Sequence, residues 1–227
     1  MLLLALDTSA AATVALLKDG AVLGRFGSGD TRSHAEVLAP AIQRILAEAG
    51  ISGAELDAVV VGVGPGPFTG LRAGLVTART LAFVWNVPLH GVMSLDALAF
   101  DAVGSLPPGA RFLVGTDARL GEVYWASYRM PADSAESPQL PELLDGPHVG
   151  PAADLPKDQP LVGRAAGLYP EDVQSLSAFA AADPDAVALG RIARLRLMAR
   201  RPLRETAPLY LRESDAKVPG PRKRATA

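Results

Sequence analysis

The chain contains no cysteine, which excludes disulfides, thiolate metal sites and a cysteine nucleophile. It has three histidines, and none stands where a catalytic or metal-binding pattern would need it. His34 is followed four residues later by Leu38, where a helical metal pair would need a second histidine. His90 and His148 adjoin Gly91 and Pro147, and no Ser-His-Asp order can be built from them. No apolar run approaches the roughly 20 residues of a membrane span. The opening run Met1–Leu6 ends at once in Asp7 and lacks the basic start and longer apolar stretch of a signal peptide. A cytoplasmic protein without membrane association is therefore expected. Aromatics are scarce, at 5%, so the core must be built from aliphatic side chains.

What is present is a 227-residue chain, 49% of it apolar, enough for one large domain or two small ones. The net charge of −2 is unevenly spread. Residues 1–110 carry a net −3, residues 111–190 a net −7, and residues 191–227 a net +8. Such a basic end fits either an acidic partner or a solvated helix with a free tail. The tail over 213–227 has two prolines, a glycine and no apolar periodicity, and reads as mobile.

The first half reads as strands over Leu2–Leu6, Thr13–Leu17 and Ala21–Phe26, with Asp19-Gly20 as turn chemistry between the last two. Ser33 and Glu36 match a capping box, and Leu38, Ala41, Ile42, Ile45, Leu46 and Ala49 follow at helical spacing up to Gly50. Pro40 should kink that helix. Asp57–Val63 is a continuous apolar strand suited to mid-sheet. A Gly-Pro loop over 64–68 leads to a helix over Thr69–Trp85, a strand over Leu89–Met93, and a helix over Leu95–Phe100 begun by Ser94. Three strands followed by strand–helix alternation call for parallel pairing. The second half opens similarly: a strand over Arg111–Thr116 ends at Asp117, turns at Arg119-Leu120-Gly121, and returns over Glu122–Arg129. The shared opening suggests an internal duplication. Residues 130–160 are Pro- and Asp-rich and read as weakly structured. A short strand over 161–163 and helices over 176–182 and 184–200 complete the chain.

Three stretches resemble the TsaB (YeaZ) family: Leu4-Ala-Leu-Asp-Thr-Ser9, Gly64-Pro-Gly-Pro-Phe-Thr-Gly-Leu-Arg-Ala-Gly-Leu75 and Asp117-Ala-Arg-Leu-Gly-Glu-Val-Tyr-Trp125. Shorter matches are Ser94–Leu98 and Pro208–Arg212. The resemblance implies an α/β fold like actin, Hsp70 and sugar kinases, with two ribonuclease-H-like lobes of mixed sheets. Residues 1–101 would form the N-terminal lobe, 102–212 the second, and 213–227 the tail. It further implies a non-catalytic activator that dimerises with TsaD. TsaD is the enzyme that places a threonylcarbamoyl group on adenosine 37 of tRNAs reading codons that start with A. TsaE would join the pair, tRNA would be met through the complex, and ATP would be used by the complex, with no cofactor in this chain alone. Catalytic and metal residues would be absent here, since the TsaD histidine pair is not reproduced.

Kinases of this superfamily turn their first hairpin toward phosphate and metal, which makes Asp7, Thr8 and Ser9 the candidate cofactor-binding residues. A carboxylate followed by hydroxyls suits hydrated Mg²⁺. The alternative is that Asp7 caps the hairpin while Thr8 and Ser9 bond the turn backbone. The Gly-Pro loop opens a helix, where anions are favoured. It lacks a Gly-Lys-Ser/Thr ending, and its prolines remove amide donors, so a rigid turn is the other reading. The helix over 69–85 has one apolar stripe, and small residues fill much of the remainder. Such a helix is buried on more than one side, between lobes or against another subunit. Crossovers between parallel strands should set it beside the helix over 34–49. The expected partner interface is His34, Leu38, Gly70, Ala73, Gly74 and Thr77, and a homodimer could use the same surface. The rival function is a nucleotide-dependent phosphotransferase or transferase of the same fold.

Overall fold

A computed structural model describes residues 1–29, 34–132 and 140–212. The Ser33 cap and the 213–227 tail lie outside the described residues, as does the His34 side chain.

The first sheet grows from β1 (Leu2–Asp7). Antiparallel β2 (Thr13–Lys18) pairs with it from Leu2↔Lys18 to Asp7↔Thr13, and β3 (Ala21–Gly27) extends the meander at the edge. After α1 (His34–Ala49), β4 (Ala58–Gly62) runs parallel to β1. After α2 (Phe68–Trp85), β5 (Leu89–Val92) runs parallel to β4. The strand order is β3-β2-β1-β4-β5.

Up to Asp7, β1 is apolar, and so is all of β4, because both faces are covered, and successive side chains enter different cores. Leu4, Leu6, Val59 and Val61 meet Leu38, Ile42 and Ile45 of α1 and Leu75 and Ala78 of α2. Leu3, Ala5, Ala58 and Val60 meet the opposite layer. α1 and α2 therefore lie on one face of the sheet, as the crossover argument expects. Pro40 sits inside an unbroken α1, on its solvent side, where its missing donor disturbs no packing. α2 ends at Asn86, whose left-handed backbone (φ 53°) closes the helix.

α3 (Ser94–Asp101) leads to a second sheet of β6 (Arg111–Arg119), β7 (Glu122–Arg129), β8 (Glu142–Pro151) and β9 (Pro160–Val162). The short α4 (Ala165–Leu168) precedes β10 (Gln174–Ser175), and α5 (Ala186–Met198) closes the helical set. The order is β10-β9-β6-β7-β8. Numbered from its own first strand, it repeats the first sheet: three antiparallel strands, then two parallel ones on the other side of the first. The chain thus has two ribonuclease-H-like halves with mixed sheets, and the repeated strand-Asp opening marks the start of each.

Two sequence expectations need correction. Residues 130–160 contain β8, an edge strand with register irregularities against β7, so neither alternation nor an unbroken apolar run announces it. The helix expected over 176–182 is a single 3₁₀ turn over Ser177–Phe179. The boundary at residue 102 separates the sheets but not the packing. Leu189, Ile192 and Ala193 of α5 pack on Leu3, Ala5 and Leu17 of the first sheet. Beyond α5 the chain forms a strap along the β5 edge. Gly91 and Arg204 exchange backbone hydrogen bonds of 2.9 and 3.0 Å, and the Leu209 N–H donates to the Val63 carbonyl at 2.8 Å.

Candidate functional site

Asp7 ends β1 with its carboxylate buried, and both oxygens are engaged. Oδ1 accepts from the Ser9 N–H at 2.7 Å and the Ser9 hydroxyl at 2.6 Å, and Oδ2 accepts from the Ser94 hydroxyl at 2.5 Å. Ser94 is fixed in turn: its Oγ accepts from the Gly64 N–H, and its own N–H donates to the Gly64 carbonyl. The hairpin is thereby tied to the end of β4 and the start of α3. Three glycines make the space. A Cβ at Gly62 would overlap Asp7 Oδ2, one at Gly74 would overlap Thr8 Oγ1, and one at Gly66 would lie 2.6 Å from the Ser9 carbonyl oxygen. Burial raises the Asp7 carboxyl above the ordinary range, against the lowering by the Ser9 and Ser94 donors.

This is the arrangement of a hairpin cap. A hydrated Mg²⁺ needs open carboxylate oxygens and room for its waters. Here hydroxyls and the Gly-Pro loop occupy that room. The loop packs on the Ser9 backbone at Gly66, and its two prolines supply no amide donor. Thr8 Oγ1 is buried without a hydrogen-bond partner and faces α2 at Gly74. Among the described residues, no three His, Asp or Glu side chains gather as a metal cluster. Asp117 repeats the turn in the second half, accepting from the Arg119 N–H at 2.7 Å, at a half-buried position. Between the two turns lies a cleft of about 330 Å³ lined by Ser9, Thr69, Asp117, Arg119, Arg164 and Asp183. Arg164 is held by Asp183 through Nε at 2.8 Å and Nη2 at 2.5 Å.

The expected partner face is redrawn by the fold. Leu38 is in the core under α1, and Gly70 and Gly74 are buried under α2. The small size of Gly74 serves a contact within the chain, its fit over Thr8. Ala73 and Thr77 are half-buried at the flank of the helix. The outward face carries Val76, Phe83 and Val84, exposed by 62%, 86% and 66%. Sequence reading passed over these three, although 76 and 83 are seven apart and 84 is eight from 76, which places them on one helical stripe. Beside that stripe, the Arg72 guanidinium lies 3.5 Å from the Phe68 ring centroid. Tyr210 of the strap packs on Phe68 at 4.7 Å and its hydroxyl accepts from Arg72 Nε at 3.1 Å.

The comparisons with known proteins agree with this architecture. A Haemophilus influenzae protein named tRNA threonylcarbamoyladenosine biosynthesis protein TsaB is 31% identical over 96% of this chain and 97% of its own length. The chain belongs to the TsaB family. An Escherichia coli TsaB is 40% identical over 57% of this chain and 55% of its own. Among solved structures, YeaZ from Pseudomonas aeruginosa superposes with a TM-score of 0.75 at 29% identity, covering 92% of this chain and 99% of that one. Residues 29–140 match the family model of TsaD, tRNA N6-adenosine threonylcarbamoyltransferase. In this TsaB-family chain, the stretch matched by that model contains both α1 and α2. No described helix is long and apolar enough to cross a membrane.

Proposed function

We propose that this chain is a non-catalytic subunit of the cytoplasmic machinery that makes threonylcarbamoyladenosine in tRNA, and that it acts by docking on TsaD through the outer face of α2. The observation that carries the docking reading is the stripe Val76, Phe83 and Val84, large apolar side chains left in water on an otherwise well-packed helix. The names of the relatives support the pathway. The closed hairpin at Asp7 supports placing the transfer chemistry in the partner, with ATP used by the complex and no cofactor held here. TsaE would join the assembled pair, and tRNA would be met by the complex. The same stripe on a second copy would give a homodimer that competes with TsaD.

The test is co-purification with the TsaD of the same organism. The wild-type chain should co-elute with it. Phe83→Asp should not, because an unpaired charge buried in an interface costs about 3–5 kcal/mol, more than a hundredfold in affinity. The variant should melt where the wild type does, since Phe83 is in water in the free chain. A wild-type chain that does not bind TsaD would overturn the subunit reading. A folded Phe83→Asp chain that still binds would move the interface elsewhere.

A further inference from the structure

We propose that Arg191 and Arg194 form a binding site for an oxyanion carried on an apolar body, a phosphate ester, sulfonate or carboxylate, on the side of the first sheet opposite α1 and α2. The two residues are three apart on α5 and so share a face. They line a cleft of about 590 Å³ with Asp19 and Gly20 of the β2–β3 turn and Phe100 and Asp101 at the end of α3.

Three observations point to a ligand. Arg194 Nε is buried and has no hydrogen-bond partner, and no ion pair or hydrogen bond among the described residues engages its guanidinium. That donor packs against Gly20, which lines the cleft, and a buried donor left unpaired is costly. Arg191 has a single long hydrogen bond, from Nε to the Gly20 carbonyl at 3.4 Å, so its fork is also largely free. Two acids share the cleft: Asp19, which accepts from the N-terminal ammonium at 2.6 Å, and Asp101, which lies close enough to Arg191 to feel its charge. Two guanidinium forks in one cleft match the bidentate geometry of an oxyanion.

The turn backbone holds the arginines in place. Gly20 has φ of +88°, and a Cβ there would lie 3.7 Å from Arg194 Cδ, so the arginine stem packs flat over the turn. Phe100, Val103 and Leu195 give the cleft an apolar wall beside the charged one. Asp101 is the opposing element. As a carboxylate in the same cleft it repels an anion, and it sets an upper limit on affinity.

The experiment is calorimetric titration of the full chain at low ionic strength with two probes, inorganic sulfate and benzenesulfonate, which stay ionised at all working pH values. Both should bind with one-to-one saturation in the millimolar range or tighter, and benzenesulfonate more tightly because its ring meets the apolar wall. Arg194→Gln should weaken binding by roughly tenfold or more, and Arg194→Lys, which keeps the charge but not the fork, by less. Asp101→Asn should tighten it. If Arg194→Gln fails to fold, Arg191→Gln and Asp101→Asn still give opposite shifts. Absence of saturable heat with either probe overturns the proposal. So does an Arg194→Gln chain that folds and binds as the wild type does.

Discussion

Replacing Asp7 by Asn and by Ala separates a hairpin cap from an ion-binding carboxylate. In the cap reading, the side chain matters as an acceptor for three donors: the Ser9 N–H, the Ser9 hydroxyl and the Ser94 hydroxyl. Asp7→Ala removes all of them at a fully buried position. The Ser9 N–H is rigid and is left unpaired, while the two hydroxyls can turn to other acceptors. One rigid donor at about 1–3 kcal/mol, together with the lost volume, gives a total near 3 kcal/mol. For a chain of this size that lowers Tm by roughly 6–12 °C. Asp7→Asn keeps an acceptor for Ser9 and removes the charge that burial disfavours. Its sign follows from linkage. The folded Asp7 carboxyl is raised above its unfolded value, so the folded chain holds the extra proton between the two. Wild-type stability therefore falls as pH rises from the ordinary carboxylate range through the raised one. The Asn chain lacks that slope, and it should match or exceed the wild type at pH 7.5 while losing its advantage at low pH. The assay is thermal melting of the three chains from pH 4 to 8. Asp7→Asn as unstable as Asp7→Ala at neutral pH would refute the reasoning, because it would mean that the negative charge itself is needed.

Other predictions follow from the same contacts. Gly74→Ala drives a methyl into Thr8 Oγ1 and should cost about 1–3 kcal/mol in melting experiments, with Thr8→Ala restoring most of the loss in the double variant. Tyr128→Phe removes the 2.8 Å hydrogen bond from its buried hydroxyl to the half-buried Asp96 and should cost about 1–3 kcal/mol, read by denaturant unfolding with unchanged m. Equilibrium dialysis of the isolated chain against ATP and Mg²⁺ should show no retention that Asp7→Asn abolishes; such retention would revive the phosphotransferase reading.

The first sheet was legible because its residues face one environment on each side. Leu2–Leu6 and Ala58–Val63 are apolar without interruption, and only strands covered on both faces need that. Helix α1 was legible from Leu38, Ala41, Ile42, Ile45 and Leu46, all of them in the core. The edge strand β8 was not, since half-exposed positions and prolines carry no period and its pairing with β7 is irregular. The hairpin site was legible in kind: Asp7, Thr8 and Ser9 do gather with the Gly-Pro loop. The cap at Asp7 was one of its two readings, but its long-range partners were not legible: Ser94, 87 residues away, and glycines whose missing side chains leave no pattern. The burial of Leu38, Gly70 and Gly74 was not legible for a related reason. A small residue in a helix says that something approaches closely, and the sequence does not say whether the approaching group belongs to the same chain.

That ambiguity, once settled, connects the two parts of the molecule. Gly74 lets α2 descend onto the first hairpin until its backbone covers Thr8, and Leu71, Leu75, Ala78 and Ala82 then fill the sheet face beneath it. With its inner side committed in this way, α2 cannot roll to hide Phe83 or Val76 without lifting Leu75 and Ala78 from the core. The strap restrains the same helix from the side, through Tyr210 on Phe68 and the Thr206 carbonyl, which accepts from Arg79 at 2.7 Å. The contacts that close the hairpin at Asp7 and Thr8 are thus the ones that hold an apolar stripe in water. A chain that needed the hairpin open for phosphate would have to raise α2, and raising α2 would lift Leu75 and Ala78 from the core and loosen the outer face that carries Val76, Phe83 and Val84.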